Sequence, residues 1–151
     1  MTTLVSSLVA ERLKELFPDA VAESDEARVI VKSEMVAEVA AFLKSAEGLE
    51  FDYLNAISGV DCGDYFEVVY HLTSLKHNHS LVLKTRCSGR ENPTVPSVTP
   101  VWRGAELQER EMYDLMGIRF AGHPNLKRIF LWEGFPGHPL RKDWKDDLSP
   151  S

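Results

Sequence analysis

The side chains in this sequence that could do chemistry are five histidines, two cysteines and a cluster of carboxylates. A zinc site needs three or four converging nitrogen, sulfur or oxygen ligands. His71, His77, His79, His123 and His138 offer neither HxxxH nor HExxH spacing, and no cysteine pair accompanies them. Cys62 and Cys87 are too few for an iron–sulfur cluster, which takes four thiolates, and too far apart for a CxxC redox pair. They read as buried thiols of a reducing compartment; a disulfide between them stays open, because sequence alone cannot place their Cα atoms within bonding range. Glu106, Glu109, Glu111 and Asp114 could do acid–base work if burial drove their pKa values apart. Arg103 and Arg110 are interleaved with them, so a salt-bridged helix face is expected instead. Neither GxGxxG nor GxxxxGK is present to seat a nucleotide or flavin, and no GxSxG offers a nucleophile. The parts for independent redox or hydrolytic catalysis are missing.

One segment has a different composition. From Gly117 to Trp144 the chain carries Arg119, Lys127, Arg128, Arg141 and Lys142 against Glu133 and Asp143, with Phe120, Phe130, Trp132, Phe135 and Trp144 threaded through it. Arginine mixed with aromatics is the composition of an interface core. Nucleic-acid stacking is the rival reading of the same mix, but the net charge of −6 lacks a basic footprint. Gly122-His123-Pro124 recurs as Gly137-His138-Pro139. In each, a glycine that permits positive φ and a proline that fixes φ bracket the imidazole, so a defined turn is expected, its histidine bonding locally or facing a partner.

The elements that must hold these residues are legible in the apolar period. Val5, Leu8, Val9, Leu13 and Leu16 repeat at helical spacing, with Thr2 or Thr3 as cap and Pro18 as stop. A short strand over Ala27–Lys32 follows, then a helix capped at Ser33 with Val36, Val39, Ala40 and Leu43 on one face and Gly48 past its end. Glu50–Val60, Tyr65–Thr73 and His79–Cys87 read as strands, with a turn at Lys76–Asn78. Asn92–Pro100 reads as a loop leading to a third helix over Val101–Met116, in which Glu106 can pair with Arg110 and Arg110 with Asp114. The order predicts an α+β two-layer sandwich: a mixed sheet with helices on one face, plus an extended, turn-rich C-terminal segment. Two units are expected, an α+β domain over 1–116 and an interaction segment over 117–151. No window is apolar enough to span a bilayer, and the N-terminus meets Glu11 and Arg12 too early for a secretory signal.

Glu109-Arg110-Glu111-Met112-Tyr113-Asp114-Leu115-Met116-Gly117-Ile118-Arg119-Phe120, then Gly122-His123-Pro124-Asn125-Leu126-Lys127-Arg128-Ile129, then Gly134-Phe135 and Gly137-His138-Pro139-Leu140-Arg141-Lys142-Asp143-Trp144, resembles the motif of the respiratory complex I 30 kDa subunit, the C-type subunit of NADH-quinone oxidoreductase. Phe51-Asp52-Tyr53-Leu54 and Tyr65–Cys87 are similar to the same family's sheet, more weakly. Lys145 stands where the family commonly has proline. The resemblance implies a subunit of the peripheral arm with no cofactor of its own, on the cytoplasmic side of the membrane and touching the membrane only through partners. Those partners would be the quinone-reducing, 49 kDa-type subunit and adjacent iron–sulfur subunits, which would hold the clusters, flavin and quinone. Catalysis, NADH-driven quinone reduction coupled to proton translocation, would belong to the complex. The alternatives are the equivalent subunit of an ion-pumping hydrogenase or of a complex with a non-NADH donor, and a free-standing binding module. The residues expected at subunit contacts are Glu109, Arg110, Glu111, Tyr113 and Asp114, the triplets Gly122-His123-Pro124 and Gly137-His138-Pro139, and Arg128, Leu140, Arg141, Lys142 and Asp143. The segment carrying them is expected to be disordered or sticky without partners.

Overall fold

A computed structural model describes residues 2–3, 6–89, 91–132 and 135–144. The first helix, α1 (Ser6–Leu16), buries a narrow stripe of Val9, Ala10 and Leu13, while Leu8 and Leu16 stay in solvent. Thr2 and Thr3, expected as its cap, instead form a short strand, β1, parallel to His79–Ser80. Strand pairing satisfies their backbone where a cap would have satisfied the helix. Val21–Ser24 (β2), not anticipated from sequence, pairs antiparallel with β3 (Val29–Lys32). Asp25 closes the turn between them by accepting the Ala27 and Arg28 amides at 2.8 and 3.0 Å. Ser33 opens a 3-10 turn (Ser33–Met35) that runs into α2 (Val36–Ser45), whose Val36, Val39, Ala40 and Leu43 are buried as the spacing predicts.

Three long strands form the centre: β4 (Tyr53–Asp61), β5 (Tyr65–Ser74) and β6 (His79–Ser88), joined as an antiparallel meander. The tight turn into β6 places Asn78 at φ 51°, a conformation asparagine tolerates. The six-stranded sheet has the order β2-β3-β6-β5-β4 with β1 beside β6, and β3 and β6 are parallel, so the sheet is mixed. One face carries Leu54, Ile57, Phe66, Val68, Tyr70, Leu72, Leu81 and Leu83, all in a single core with α1 and α2. The opposite face carries an ion-pair network in which Lys84 and Arg86 flank Glu67 at 3.2 and 3.3 Å. Ile30, paired with Lys84, is 1% exposed on that same face.

The rest of the chain completes the helical layer. Thr94–Pro96 (β7), inside the expected loop, pairs parallel with Arg119–Ala121 (β8), and the crossover between them contains α3 (Ala105–Met116). The residues before α3 are turns rather than helix, anchored by Trp102 Nε1, which donates to Phe51 O at 2.9 Å. Gly59 on β4 lets α3 close in, since a side chain there would meet Met112 Sδ at 3.0 Å. Gln108 Oε1 accepts the Ile57 amide at 2.6 Å, so α3 also covers the edge strand. The body continues past Gly117, the expected division, for Ile118 and Phe120 lie in the core. Among the described residues no helix is long and apolar enough to cross a membrane.

Candidate functional site

Helix α3 is where the local sequence and the fold diverge. Its four carboxylates were expected on a solvated, salt-bridged face; Glu106 does stand 3.9 Å from Arg110, but Glu109 and Asp114 are fully buried. A buried carboxylate must be paired or hydrogen-bonded, and both are. Glu109 accepts from Ser97 Oγ at 2.6 Å and from the Val98 amide at 2.8 Å, tying α3 to the loop behind it. Burial raises the Glu109 pKa above its ordinary value even though these two donors and the nearby His123 ring oppose the shift. The Tyr70 hydroxyl is also buried and has no partner among the described residues; burial first, then the Glu109 charge, holds its proton on.

Asp114 gathers the C-terminal segment around itself. Its Oδ2 accepts the amides of Ile129, Phe130 and Leu131 at 3.1, 2.7 and 3.1 Å, and its Oδ1 pairs with Arg128 Nη1 at 2.9 Å. Burial works to raise its pKa, but the three amides and the guanidinium outweigh burial and lower it. Arg128 also donates to Asp114 O, and through Nη2 to the carbonyls of Phe135 and Gly137 at 3.0 and 2.8 Å. The pairing expected between Arg110 and Asp114 gives way to this one. Arg110 instead donates to the carbonyls of Lys127 and Arg128, both at 3.1 Å.

The last carbonyls of a helix have no intrahelical donor, and here the segment supplies them. Gly117, left-handed at φ 74°, returns its amide to Tyr113 O at 2.9 Å. Asp114 O receives His138 Nδ1 at 2.9 Å, Leu115 O the Leu140 amide at 2.9 Å, and Met116 O Arg141 Nε at 2.6 Å. Because a carbonyl only accepts, His138 carries its proton on Nδ1; burial, followed by the neighbouring Arg128 and Arg141 charges, lowers its pKa against the favourable Asp114 carbonyl. Arg141 lies 4.8 Å over the Phe66 ring, and the Lys142 amide reaches Asp61 Oδ2 at 2.8 Å. The first GHP triplet docks higher on α3, with His123 Nε2 on Glu106 O at 2.9 Å and Nδ1 receiving the Asn125 amide. Both histidines thus bond within the chain, to carbonyls of α3 rather than only to their own turns, and Gly122 and Gly137 are left-handed at φ 85° and 89° as the turns require.

Most polar residues predicted for subunit contacts are therefore occupied within the chain: Arg110, Asp114, His123, Arg128, His138 and Arg141 hold the segment to α3, and Glu109 holds α3 to the loop at Ser97 and Val98. Glu111 and Tyr113 are half-buried, Tyr113 with its ring 6.1 Å from His138. The large apolar side chains Leu107, Phe130, Trp132 and Leu140 face out, each at least half exposed. Lys127, Lys142 and Asp143 are also at the surface, as are Gly122 and Pro124; Pro139 is half-buried. Trp132 packs edge-on to Phe135, and Phe135 stacks on Trp144. Gly134, part of the motif, lies outside the described residues, as does everything after Trp144. Sequence reasoning missed Asp61, Phe66, Ser97 and Val98, which meet the motif from far along the chain and carry no local signal. Cys62 and Cys87 are both free thiols.

Residues 29–148 match the family described as respiratory-chain NADH dehydrogenase, 30 kDa subunit. A C-type subunit of the NADH-quinone oxidoreductase of Rhizobium meliloti, the one numbered 2, is 49% identical over 128 residues, covering 80% of this chain and 69% of that protein. The combined C/D-type subunit of the NADH-quinone oxidoreductase of Phocaeicola vulgatus is 45% identical over 109 residues, 72% of this chain but 21% of the longer relative. A chain of the membrane-bound sulfane sulfur reductase, an archaeal respiratory membrane complex, superposes with a TM-score of 0.75 at 22% identity, over 94% of this chain and 86% of that one; at that identity the likeness is one of fold.

Proposed function

The chain belongs to the family of the 30 kDa subunit of respiratory-chain NADH dehydrogenase, and from that premise we propose that it is a structural subunit, without a redox centre of its own, in the peripheral arm of an NADH-quinone oxidoreductase. The observation that carries this reading is the division of labour in the motif. Arg110, Asp114, Arg128 and Arg141 are engaged inside the chain, holding a segment that leaves Phe130, Trp132 and Leu140 exposed, with Leu107 exposed on α3. Large apolar side chains held out in solvent by a fixed backbone suit a surface built for a protein partner.

The partner we assign is the quinone-reducing, 49 kDa-type subunit, supported by a relative that combines the C and D types in one chain. Clusters, flavin and quinone would then reside in neighbouring subunits, with electron transfer to quinone and coupled proton translocation being properties of the assembly. The chain would meet the membrane only through those neighbours, on the cytoplasmic side. The test is to tag the N-terminus, solubilise membranes gently and identify what co-purifies. Recovery of the quinone-reducing and iron–sulfur subunits is expected; the chain alone would refute the proposal. The identity of the co-purified input module also separates an NADH-driven complex from a hydrogenase.

A further inference from the structure

The reading above leaves open whether the partner-facing segment takes its shape from the partner or brings it. We propose that it brings it: the apolar face of Phe130, Trp132 and Leu140 is assembled in the free chain on a latch centred on Asp114, and enters an apolar, acid-rimmed groove of the quinone-reducing-type subunit as a preformed surface. The inference rests on the proposed subunit role and extends it to how the contact is made.

Three observations support it. The amides of Ile129, Phe130 and Leu131, consecutive along the backbone, converge on one carboxylate oxygen of Asp114, which is itself fully buried on α3. Such a nest fixes the backbone under Phe130 without using its side chain, which stays 62% exposed. Arg128 reaches from the same carboxylate to the carbonyls of Phe135 and Gly137, so one side chain spans the segment that includes Trp132. The far end is closed again where the Leu140 amide caps Leu115 O, leaving the Leu140 side chain 55% exposed. At Phe130 and Leu140 the backbone is bound inward while the apolar side chain is left in solvent, and Trp132 lies in the chain between a carboxylate and two carbonyls that Arg128 ties together. A surface ordered beforehand spares the association step the ordering cost that a disordered segment would incur. The exposed cations of the same segment, Lys127 and Lys142, three and two residues along the chain from Phe130 and Leu140, fit an acidic rim.

Amide hydrogen exchange on the free full-length chain tests this. The amides of 129–131 are expected to exchange at least about tenfold more slowly than in an unstructured chain. Asp114→Ala should abolish that slowing while the amides of β5 and β6 keep theirs; Arg128→Gln, a milder change, should reduce it in the same place. Phe130→Ser with Trp132→Ser should leave the slowing intact and lower recovery of the quinone-reducing subunit from membranes. Unprotected 129–131 amides in the wild-type chain would overturn the latch, as would unchanged protection in Asp114→Ala or Arg128→Gln. Should Asp114→Ala fail to fold, the wild-type rates and Arg128→Gln decide. Protection without co-purification of the quinone-reducing subunit would count against the partner alone, and co-purification with unprotected amides against the latch alone.

Discussion

Single residues in this protein are set by burial more than by type. Glu109 is an acid whose folded pKa is raised by desolvation against the pull of Ser97, Val98 and His123. A raised pKa means the folded chain binds that proton more readily than the unfolded one, so its contribution is most favourable in acid and declines as pH rises through the folded value. Glu109→Gln keeps a hydrogen-bonding amide and removes the charge; the variant's stability relative to wild type should rise as pH is raised from the ordinary glutamate value of 4.5, read by urea midpoints at each pH. The two thiols differ on the same ground. Burial pushes Cys87 up to about 11, whereas Cys62 is half-buried in the β4–β5 turn. Iodoacetamide at neutral pH should label Cys62 and spare Cys87 until the chain is denatured, since the thiolate is the nucleophile. Mass spectrometry of the labelled peptides reads the result. Arg128 belongs here too: removing one partner of a buried ion pair typically costs about 3–5 kcal/mol. Arg128→Ala should therefore lower the urea midpoint sharply.

Among the elements, α3 is held from both sides, by Gly59 and Gln108 toward the sheet and by the C-terminal segment at its end. Gly117 makes the second arrangement possible: a Cβ there would lie 2.7 Å from Arg141 Nη2 and His138 Cδ2, on a residue already at positive φ. Gly117→Ala should cost about 1 kcal/mol from backbone strain alone and should increase exchange at the Leu140 and Lys142 amides while β4–β6 stay protected. The helices α1 and α2 and the three long strands were legible because a 3.6- or 2-residue apolar period survives in them. The short strands β2, β7 and β8 were not, for they are 4, 3 and 3 residues long and draw their pairing from distant neighbours. The acidic face of α3 was misread for a related reason. Its periodicity marks Glu109 and Asp114 as polar, and nothing nearby announces that Ser97, Val98 and residues 128–131 will close over them. The GHP turns were legible from glycine and proline chemistry alone.

The whole molecule is an asymmetric sandwich, with the helices against one face of the sheet and charged side chains across the other. Truncation before Gly137 should leave that sandwich standing. It would delete the donors to Asp114 O, Leu115 O and Met116 O and the Lys142–Asp61 contact. At a net contribution of about 1 kcal/mol per hydrogen bond, the expected loss is roughly 2–4 kcal/mol, with far-UV circular dichroism of the folded chain little changed.

The bond from the Lys142 amide to Asp61 joins residues 81 positions apart, more than half the length of the chain. Contacts of that separation form late, after the β4–β6 meander with its short turns has condensed. Synthesis imposes the same order, because Arg141 and Lys142 leave the ribosome long after their acceptors. The outward-facing apolar surface is consequently completed only after the body on which it rests. A chain whose body is nicked or misfolded would not present it, so docking would select for subunits whose body is already sound.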